Sequence, residues 1–499
     1  MSCLLGVDVS TTGVKAVLID EHGEVLGAVT TPHALSTPKP LWSEQNPEDW
    51  WSGACASIRE VLHSAEVSGG EVLAVGLTGQ MHSLALLNKR DQVLRPAILW
   101  NDQRTAQQCE RIRSEFGSEN LIAITGSDAL TGFTLPKLLW VQENEPEVYA
   151  GIEHLLLAKD YVRLRLTGDY ATDRAGASGT SMLDIRRRDW SDEVLAAFSI
   201  PNRWLPKTNE GPEITGVVSE EAGRLTNLKP GTPVVAGAGD QAAQAVGVGA
   251  VRPGITAVTL GTSGVVFAST DRPIIEPNGA LHAYCHAIPS RWHMMGVMLS
   301  AGGSLHWLRD RLSPGVPFEE LTQGIDEVPI GSNGLLFLPY LTGERTPHAD
   351  PLARGVLVGL TIRHEYQHIV RAVLEGVCFG LRDVFELLHS VGLSSSAEVR
   401  VSGGGMSSPS WRRILSDVLG VTLLNVDVTE GAALGAALLA GVGSDVWRSV
   451  DEACDKTVRT TRSATPDGAA MGKYNVLYEL YRGLYPALKR FSHGLAETS

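Results

Sequence analysis

Two apolar segments flank a polar turn in Leu5-Gly-Val-Asp8-Val-Ser-Thr-Thr-Gly-Val-Lys15-Ala-Val-Leu-Ile-Asp20. The pattern predicts a strand over Leu4–Val9 and another over Val14–Asp20, joined by a turn rich in Gly, Ser and Thr. A simple hairpin seldom gathers an aspartate, three hydroxyls and a lysine between two buried strands. Because hydroxyls and backbone amides bind phosphate oxygens, the turn predicts a phosphate site.

The same theme returns in the second half of the chain, in Thr259-Leu-Gly261-Thr-Ser-Gly264-Val-Val-Phe. Strands are predicted on either side of that turn, over Ile255–Leu260 and Val265–Ala268. This weak internal repeat predicts two related domains that face each other. We expect them to span residues 1–246 and 247–499, with a closing helix over 474–491 that the sequence assigns to neither.

Strands that alternate with helices elsewhere in the chain indicate an α/β class. Further strands are predicted over Glu24–Thr30, Val72–Thr78, Ser83–Leu87, Ile98–Asp102, Pro233–Ala238, Leu335–Pro339, Glu398–Ser402 and Leu423–Val426. Helices are predicted from Pro47 to His63, with Asn46 as the N-cap, and over 105–116, 136–142, 160–166, 241–248, 367–389, 411–419 and 431–440.

Size and charge exclude several classes of protein. A chain of 499 residues is too long for one core. Its net charge of -14 argues against nucleic acid and against an anionic membrane surface, but not against ATP, which local amides and Mg²⁺ can hold. Six scattered cysteines and the absence of a leader pattern predict a cytoplasmic protein. A homodimer is possible, but the sequence does not fix the oligomeric state.

Asp240 follows the apolar run Pro233–Ala238, and glycines crowd around it. A carboxylate at the end of a strand, on backbone with few side chains, can reach a substrate hydroxyl and act as a catalytic base. Asp240 could instead cap the helix predicted from Gln241, and both roles are compatible.

Two further strand ends carry polar groups suited to a sugar. Gln80-Met81-His82 follows the strand Val72–Thr78, and Trp100-Asn101-Asp102 follows Ile98–Leu99. In α/β proteins, ligands bind at such strand ends. Sugars need several hydrogen bonds and an apolar platform, which these two segments together supply.

Three glycine-rich segments predict an ATP site. Gly261 and Thr262 lie in a turn where the backbone can approach phosphate closely. Ser402-Gly403-Gly404-Gly405-Met406 reads either as a flexible loop or as a flat surface against adenine, with Met406 as an apolar lid. In the first turn, Ser10, Thr11, Thr12 and Lys15 would bind the phosphates, and Asp8 would organise Mg²⁺ through water.

Three motifs are associated with other protein classes, and none of them fits this chain. His364-Glu-Tyr-Gln-His368 matches the zinc-hydrolase pattern, but it begins a predicted helix where that motif needs a helix interior. Gly237-Ala-Gly239-Asp-Gln-Ala242 matches a dinucleotide fingerprint, but no acidic residue lies about twenty positions on. The chain has no G-x-x-x-x-G-K-[ST] and is therefore not a P-loop kinase.

The chain resembles the FGGY carbohydrate kinases, whose two domains have the actin-like ATPase (ribonuclease H-like) fold and flank a cleft. Two long segments carry the resemblance, Gly132-Phe-Thr-Leu-Pro-Lys-Leu-Leu-Trp140-Val-Gln-Glu-Asn144 and the region from Gly355 to Glu375. Shorter pieces match the branch that acts on D-xylulose, namely Leu41–Gln45, Gly79–His82, Leu99–Asp102 and Tyr340–Pro347.

The resemblance implies transfer of phosphate from ATP to D-xylulose with Mg²⁺. It implies that Asp240 is the base, that Met81 and His82 lie at the sugar, and that Asp8 lies near the metal. It also implies that Thr262, Gly302, Gly404 and Gly405 line the nucleotide. His306 stands where relatives with other substrates have glutamine, so we leave it out of the predicted site.

Two other functions stay open on the sequence. Another kinase of the family, acting on ribulose or glycerol, would differ in pocket residues and in a substrate panel. An ATP-driven switch would need a peptide-binding domain, and the sequence after Ser402 contains none that is visible.

Overall fold

The computed structural model describes residues 2–393, 398–427 and 430–496. Two large sheets, each with helices packed on it, form an α/β architecture. This confirms the predicted fold class. The division of the chain at residues 246 and 247 stays a prediction.

Strands and helices alternate through the first half of the chain. The strands are β1 (Cys3–Val9), β2 (Gly13–Asp20), β3 (Val25–Pro32), β4 (Glu44–Gln45), β5 (Val72–Gly79), β6 (Ala85–Leu87), β7 (Ala97–Ile98), β8 (His154–Leu156), β9 (Ala171–Asp173), β10 (Leu183–Asp184), β11 (Asp189–Trp190), β12 (Lys207–Asn209), β13 (Ile214–Val217), β14 (Pro233–Val235) and β15 (Ala238–Gly239). The helices are α1 (Pro47–Ser64), α2 (Ala106–Glu115), α3 (Ser118–Thr125), α4 (Thr134–Asn144), α5 (Pro146–Ala150), α6 (Ala158–Thr167), α7 (Arg174–Ser178), α8 (Asp192–Ala197), α9 (Glu220–Thr226) and α10 (Asp240–Gly247).

The first sheet has the order β13-β14-β5-β1-β2-β3, and β15 also pairs with β5. β1 runs antiparallel to β2 and parallel to β5, so the first hairpin occupies the middle of the sheet. Both faces of β1 are therefore covered, which accounts for its continuous apolar sequence.

The second half repeats this plan. Its strands are β16 (Thr256–Leu260), β17 (Gly264–Thr270), β18 (His282–Cys285), β19 (Trp292–Met298), β20 (Leu336–Leu338), β21 (Val356–Val358), β22 (Glu398–Ser402), β23 (Thr422–Val426) and β24 (Thr460–Ala464). Its helices are α11 (Gly302–Leu312), α12 (Phe318–Leu321), α13 (Tyr366–Ser390), α14 (Pro409–Leu419), α15 (Gly431–Gly443), α16 (Val450–Thr457) and α17 (Gly468–Ala496).

The second sheet has the order β18-β19-β17-β16-β22-β23-β24. β16 and β17 form its central hairpin, and β22 lies parallel to β16 on the other side, as β5 does beside β1. The internal repeat seen in the sequence is thus a repeat of topology.

One helix crosses from the second half of the sequence to the first sheet. α15 packs on β1 and β5 and beside α10. Its small residues allow backbone to touch backbone, because a Cβ on Gly6 would lie 1.9 Å from the Ala433 carbonyl oxygen. A Cβ on Gly435 would lie equally close, at 1.9 Å, to the carbonyl oxygen of Ala243 in α10. The sequence predicted the helix but not its location.

Two predicted strands end earlier than expected. The strand predicted over Ile98–Asp102 stops at Ile98, and the polar residues beyond it form a turn. The strand predicted over Pro233–Ala238 is interrupted at Gly237, whose φ of 70° breaks the extended backbone. After the second break the chain rejoins the sheet as β15, and Asp240 follows it directly.

Two features bear on the compartment and the surface. All six cysteines are buried and free. Within the described part of the chain, no helix has the length and apolar character needed to cross a membrane.

The contact between α10 and α15 predicts a large cost for one added methyl group. Gly435→Ala should lower the free energy of unfolding by at least about 2 kcal/mol, because the carbonyl of Ala243 has to move away. Gly468→Ala is the matched control, since a Cβ there meets nothing within 4 Å. Urea unfolding of both variants measures the difference, and equal stabilities would contradict this packing.

Candidate active site

The floor of the candidate site is a row of residues at the ends of three adjacent strands. Asp8 on β1 pairs with Thr78 on β5, and Thr78 pairs with Ala238 on β15. Neighbouring strands lie about 4.8 Å apart, so Asp240, two residues beyond Ala238, starts α10 roughly 10 Å across the sheet from Asp8. The topology thus brings together two carboxylates that are distant in the sequence.

Both carboxylates lie in a desolvated environment. Burial, together with the negative charge of Asp8, raises the pKa of Asp240 to about 7. Burial raises the pKa of Asp8 to about 6, with the charge of Lys15 opposing the shift. Asp8 Oδ1 is buried and has no hydrogen-bond partner among the residues that the structure describes. An acid with a pKa near neutrality can exchange a proton with a bound hydroxyl, as a general base requires.

Asp240 does not cap its helix. The N-cap of α10 is Gly239, and Asp240 is the first helical residue. The backbone just before Asp240 is fixed by Asp173, whose Oδ1 accepts a hydrogen bond from the Gly239 N–H at 3.2 Å. Asp173 is itself paired with the buried Lys159 at 2.7 Å. This support was not predicted from the sequence.

Met81 and His82 meet the same strand end. A Cβ on Gly239 would lie 2.9 Å from Met81 Cγ, and His82 Nδ1 lies 2.5 Å from the carbonyl oxygen of Gly179. The His82 ring stacks on Phe133 with ring centroids 4.2 Å apart. Burial lowers the pKa of His82 well below its usual value, so the ring is neutral. A neutral imidazole above an aromatic ring provides the polar group and the apolar platform expected at a sugar.

Trp100 connects to the first turn and, through it, to the segment Gln80–His82. It is 37% exposed, and its Nε1 donates to Thr11 Oγ1 at 2.9 Å. Thr11 in turn donates to Gln80 Oε1 at 3.2 Å. The neighbouring Asn101 keeps a buried Oδ1 without a hydrogen-bond partner in the described part of the chain. The place of Trp100 and Asn101 at a sugar stays a prediction.

Asp102 lies in the interior, behind Trp100 and Asn101. Its side chain is fully buried, and its oxygens accept two N–H groups of Arg104 and the backbone N–H of Ser43 at 2.7 Å. Its carboxylate is already engaged, which corrects the expectation that Asp102 presents free hydrogen-bonding groups to a sugar. Asp102 instead anchors the turn that carries Trp100 and Asn101.

The residues of the first turn divide into two groups. Ser10 uses its hydroxyl within the turn, donating to the Gly13 carbonyl at 2.8 Å. Thr12 is exposed, and Lys15 forms an ion pair at 2.9 Å with Glu430, next to α15. The turn is therefore preorganised, and the exposed Thr12 side chain can still meet a ligand.

A second part of the site is a cavity of about 570 Å³ in the other half of the molecule. Five predicted residues line it, namely Gly261, Thr262, Gly302, Gly404 and Gly405. The turn at Gly261 is fixed because the Gly302 N–H donates to the Gly261 carbonyl at 2.9 Å. A Cβ at Gly404 would meet nothing within 4 Å, so this backbone faces the cavity directly. The cavity volume suits a nucleotide-sized ligand.

Met406 does not act as a lid over this cavity. Its side chain is only 4% exposed and belongs to the hydrophobic core under the second sheet. The short 3-10 turn over Gly404–Ser407 rotates Met406 inward and leaves the glycines outside. The expectation that Met406 covers adenine is therefore wrong.

His306 and Phe318 form the apolar wall opposite the glycines, where the sequence analysis expected no site residue. Both line the cavity, and their rings meet edge to face with centroids 4.6 Å apart. His306 lies one turn into α11, four residues after Gly302. That spacing is the signal that could have identified it, because residues four apart share a helix face.

The two parts of the site are linked through α10. Gln244 Nε2 donates to Ser402 Oγ at 3.5 Å, and Ser402 Oγ lies 3.1 Å from Thr259 Oγ1. The helix that begins with Asp240 therefore contacts the strand ends that carry the nucleotide-sized cavity. Arg345 is a further cation near His82, since its charge adds to burial in lowering the pKa of that ring.

The zinc-like motif does not form a metal site in the structure. His364 and Glu365 precede α13, and His368 lies in its first turn, as predicted. The described residues contain no group of three or more His, Cys, Asp or Glu side chains placed to hold a metal ion.

Comparison with known families gives a match along most of the chain. Residues 3–247 match the model of the FGGY family of carbohydrate kinases, N-terminal domain. Residues 256–444 match the model of the FGGY family of carbohydrate kinases, C-terminal domain.

Individual proteins give the same result. The chain is 42% identical to the xylulose kinase of Escherichia coli strain K12 over 97% of this chain and 99% of that protein. It is 37% identical to the xylulose kinase of Bacillus subtilis strain 168, over 99% of each. A solved structure described as a xyloylose kinase from Brucella ovis superposes with a TM-score of 0.92 at 38% identity, over 98% of this chain and 100% of that one.

The raised pKa of Asp240 predicts a pH-dependent gain in stability for Asp240→Asn. The folded-state pKa of about 7 lies above the ordinary value of 3.8, so the parent is favoured at low pH and loses stability as the pH rises through 7. Asparagine does not ionise, so the variant does not lose stability over this pH range. At pH 8 the variant should unfold with a free energy about 2–4 kcal/mol higher than the parent's.

Urea unfolding at pH 8 and pH 5 measures this gain, which should shrink at the lower pH. The same substitution at the exposed Asp271 is the control and should change little at either pH. A variant at position 240 that is no more stable than the parent at pH 8 would contradict the desolvated carboxylate.

Proposed function

The chain belongs to the FGGY family of carbohydrate kinases, and we propose that it transfers the terminal phosphate of ATP to D-xylulose, giving D-xylulose 5-phosphate and ADP. The relatives named as xylulose kinases support this substrate, because they align over nearly the whole chain at up to 42% identity. The observation that carries the proposal is the meeting of Asp240, Met81 and His82 at one strand end, linked through α10 to the nucleotide-sized cavity.

In this mechanism Asp240 is the general base. Its pKa of about 7 leaves a large fraction ionised at neutral pH and still makes it a proton acceptor of useful strength. It accepts the proton of the terminal hydroxyl of the sugar as that oxygen attacks the γ-phosphorus in line. The like charge of Asp8 contributes to this basicity.

The sugar is bound by the side chains of His82, Trp100 and Asn101, beside Asp240. His82, held by the carbonyl of Gly179 and stacked on Phe133, presents its free Nε2 to a sugar hydroxyl. Trp100 and Asn101 supply an apolar surface and an unpaired carbonyl oxygen from the opposite segment. Asp102 acts indirectly, by fixing that segment through Arg104.

The nucleotide lies across the two halves of the molecule. Adenine occupies the cavity between the Gly404–Gly405 backbone and the His306 and Phe318 rings. The phosphates extend past Gly261 and Thr262 toward Thr12 and the amides of the first turn. Closure of the cleft around both ligands would keep water from the γ-phosphate.

The residues present fit Mg²⁺. Asp8 Oδ1 is a buried carboxylate oxygen without a hydrogen-bond partner among the described residues, and oxygen donors of this kind suit a hard cation that keeps several waters. When bound there, directly or through water, the ion would neutralise charge on the phosphates. We also propose a cytoplasmic location, because all six cysteines are free.

A substrate panel tests the function. ADP release should be measured with D-xylulose, D-ribulose, gluconate and glycerol at equal concentrations, with sugar consumed in a one-to-one ratio with ATP. D-xylulose should give the highest kcat/KM. A higher kcat/KM with another acceptor would overturn the substrate, and ATP hydrolysis without a consumed sugar would overturn the kinase activity itself.

The cavity geometry predicts a selective loss of ATP binding in Gly404→Leu. The added side chain has open space around its Cβ, so the protein should fold with a Tm within about 2 °C of the parent. The same side chain fills part of the cavity, so calorimetry should give an ATP Kd at least tenfold higher. Gly468→Leu, also open but on α17, should keep the parental Kd. Unchanged binding in Gly404→Leu would remove this backbone from the nucleotide site.

A further inference from the structure

A cavity of about 370 Å³ lies between α13, α17 and the segment 340–348. It shares no lining residue with the nucleotide-sized cavity, and the reaction proposed above does not use it. Its volume falls at the lower end of the range for small-molecule sites. The chemistry of its lining therefore indicates which class of molecule it can hold.

Aromatic rings form one part of this lining. They are Tyr340, His348, Tyr478, Tyr481 and Tyr485. The His348 ring stacks on Tyr485 with centroids 3.7 Å apart, and the Tyr478 and Tyr481 rings lie nearly parallel, at 16°. Burial lowers the pKa of His348 to about 4, so this ring adds no positive charge. Groups of neutral aromatic rings are how proteins bind organic ammonium ions.

The lining also contains a carboxylate with one free oxygen. Asp383 on α13 is only 9% exposed, and its Oδ1 accepts a hydrogen bond from the Tyr478 hydroxyl at 2.6 Å. Its Oδ2 has no hydrogen bond among the described residues and is not one of the fully enclosed polar atoms. This oxygen therefore borders the cavity that Asp383 lines.

The neighbouring arginines do not neutralise Asp383. Arg382 pairs with Glu386 at 3.2 Å, and Arg482 lies 3.7 Å from Glu479. In the described part of the chain, no cation forms an ion pair with Asp383. Burial raises the pKa of Asp383 to about 6, with the Tyr478 hydrogen bond and the charge of Arg482 opposing the shift. The carboxylate is therefore ionised at pH 8 without a partner.

Other ligand classes fit this lining poorly. A neutral molecule would cover Asp383 and leave its charge both desolvated and unpaired, which is costly. A metal ion needs several ligands, and the described residues contain no group of three or more His, Cys, Asp or Glu side chains placed to hold one. An ammonium group on an apolar body satisfies the carboxylate and the rings together.

We propose that this cavity is a binding site for a small organic cation, an amine with one apolar ring. The ammonium group donates to Asp383 Oδ2, and the ring packs against the side chains of Tyr340, Tyr481 and Tyr485. The site is independent of the kinase reaction, because none of these residues takes part in it.

Calorimetry on the full chain at pH 8 tests the charge without any substitution. Benzylammonium should bind with a Kd of about 1 mM or lower. Benzyl alcohol has the same size but no charge, so it should bind at least about tenfold more weakly. Equal affinities would show a purely apolar cavity, and no binding of benzylammonium at about 20 mM would show that Arg482 or water satisfies Asp383. Either result overturns the proposal.

A substitution locates the bound amine. Asp383→Asn keeps an acceptor for the Tyr478 hydroxyl but removes the charge, so the Tm should stay within about 3 °C of the parent or rise. Its Kd for benzylammonium should be at least about tenfold higher. Asp271→Asn removes an exposed carboxylate outside the cavity and should keep the parental Kd. A folded Asp383→Asn protein with the parental Kd would place the amine elsewhere and overturn the site.

Diffraction provides a location that needs no variant. A crystal of the parent soaked with para-bromobenzylammonium should show the anomalous signal of bromine between α13 and α17, beside the tyrosine rings. Bromine found only outside this cavity, for example beside Asp8 and Asp240, would overturn the proposal.

Discussion

The rest of the structure depends on a contact in which backbone touches backbone, where α15 lies across the first sheet and against α10. Gly6, Gly76 and Gly435 each have no room for a Cβ there. Close packing of this kind has two consequences. It joins the second half of the sequence to the first sheet, and it fixes α10, whose first residue is Asp240. Lys15, paired with Glu430 just before α15, ties the first turn to the same contact.

Electrostatics explains why this rigidity matters for the chemistry. Asp173 and Lys159 are buried close to the site, but they neutralise each other at 2.7 Å. Among the described residues no cation forms an ion pair with Asp8 or Asp240, and their pKa values are raised to about 6 and 7. Two desolvated carboxylates near each other destabilise a protein, and they persist only where the surrounding structure holds them. The unpaired groups are the ones that the proposed reaction uses.

Local pattern predicted the fold class and most elements of this chain well. The hairpin at Asp8, the strand Glu398–Ser402 and the helix capped by Asn46 all form as expected, because each depends on neighbours in the sequence. The glycines that line the cavity were also found, since only glycine suits backbone that faces a ligand. What the sequence did not reveal depends on contacts between distant segments. Met406 turns into the core, Arg104 engages Asp102, and His306 faces the cavity because α11 begins against the turn at Gly261.

The central claim is that Asp240 accepts the proton of the sugar hydroxyl during phosphoryl transfer. The most direct test is the kcat of Asp240→Asn with saturating ATP and D-xylulose, together with the KM for the sugar. Asparagine keeps the size and much of the hydrogen bonding but does not accept the proton. The account predicts that kcat falls by about 10²–10⁴ while the KM for D-xylulose changes by only a few fold. A kcat within a few fold of the parent value would contradict the assignment of Asp240 as the base.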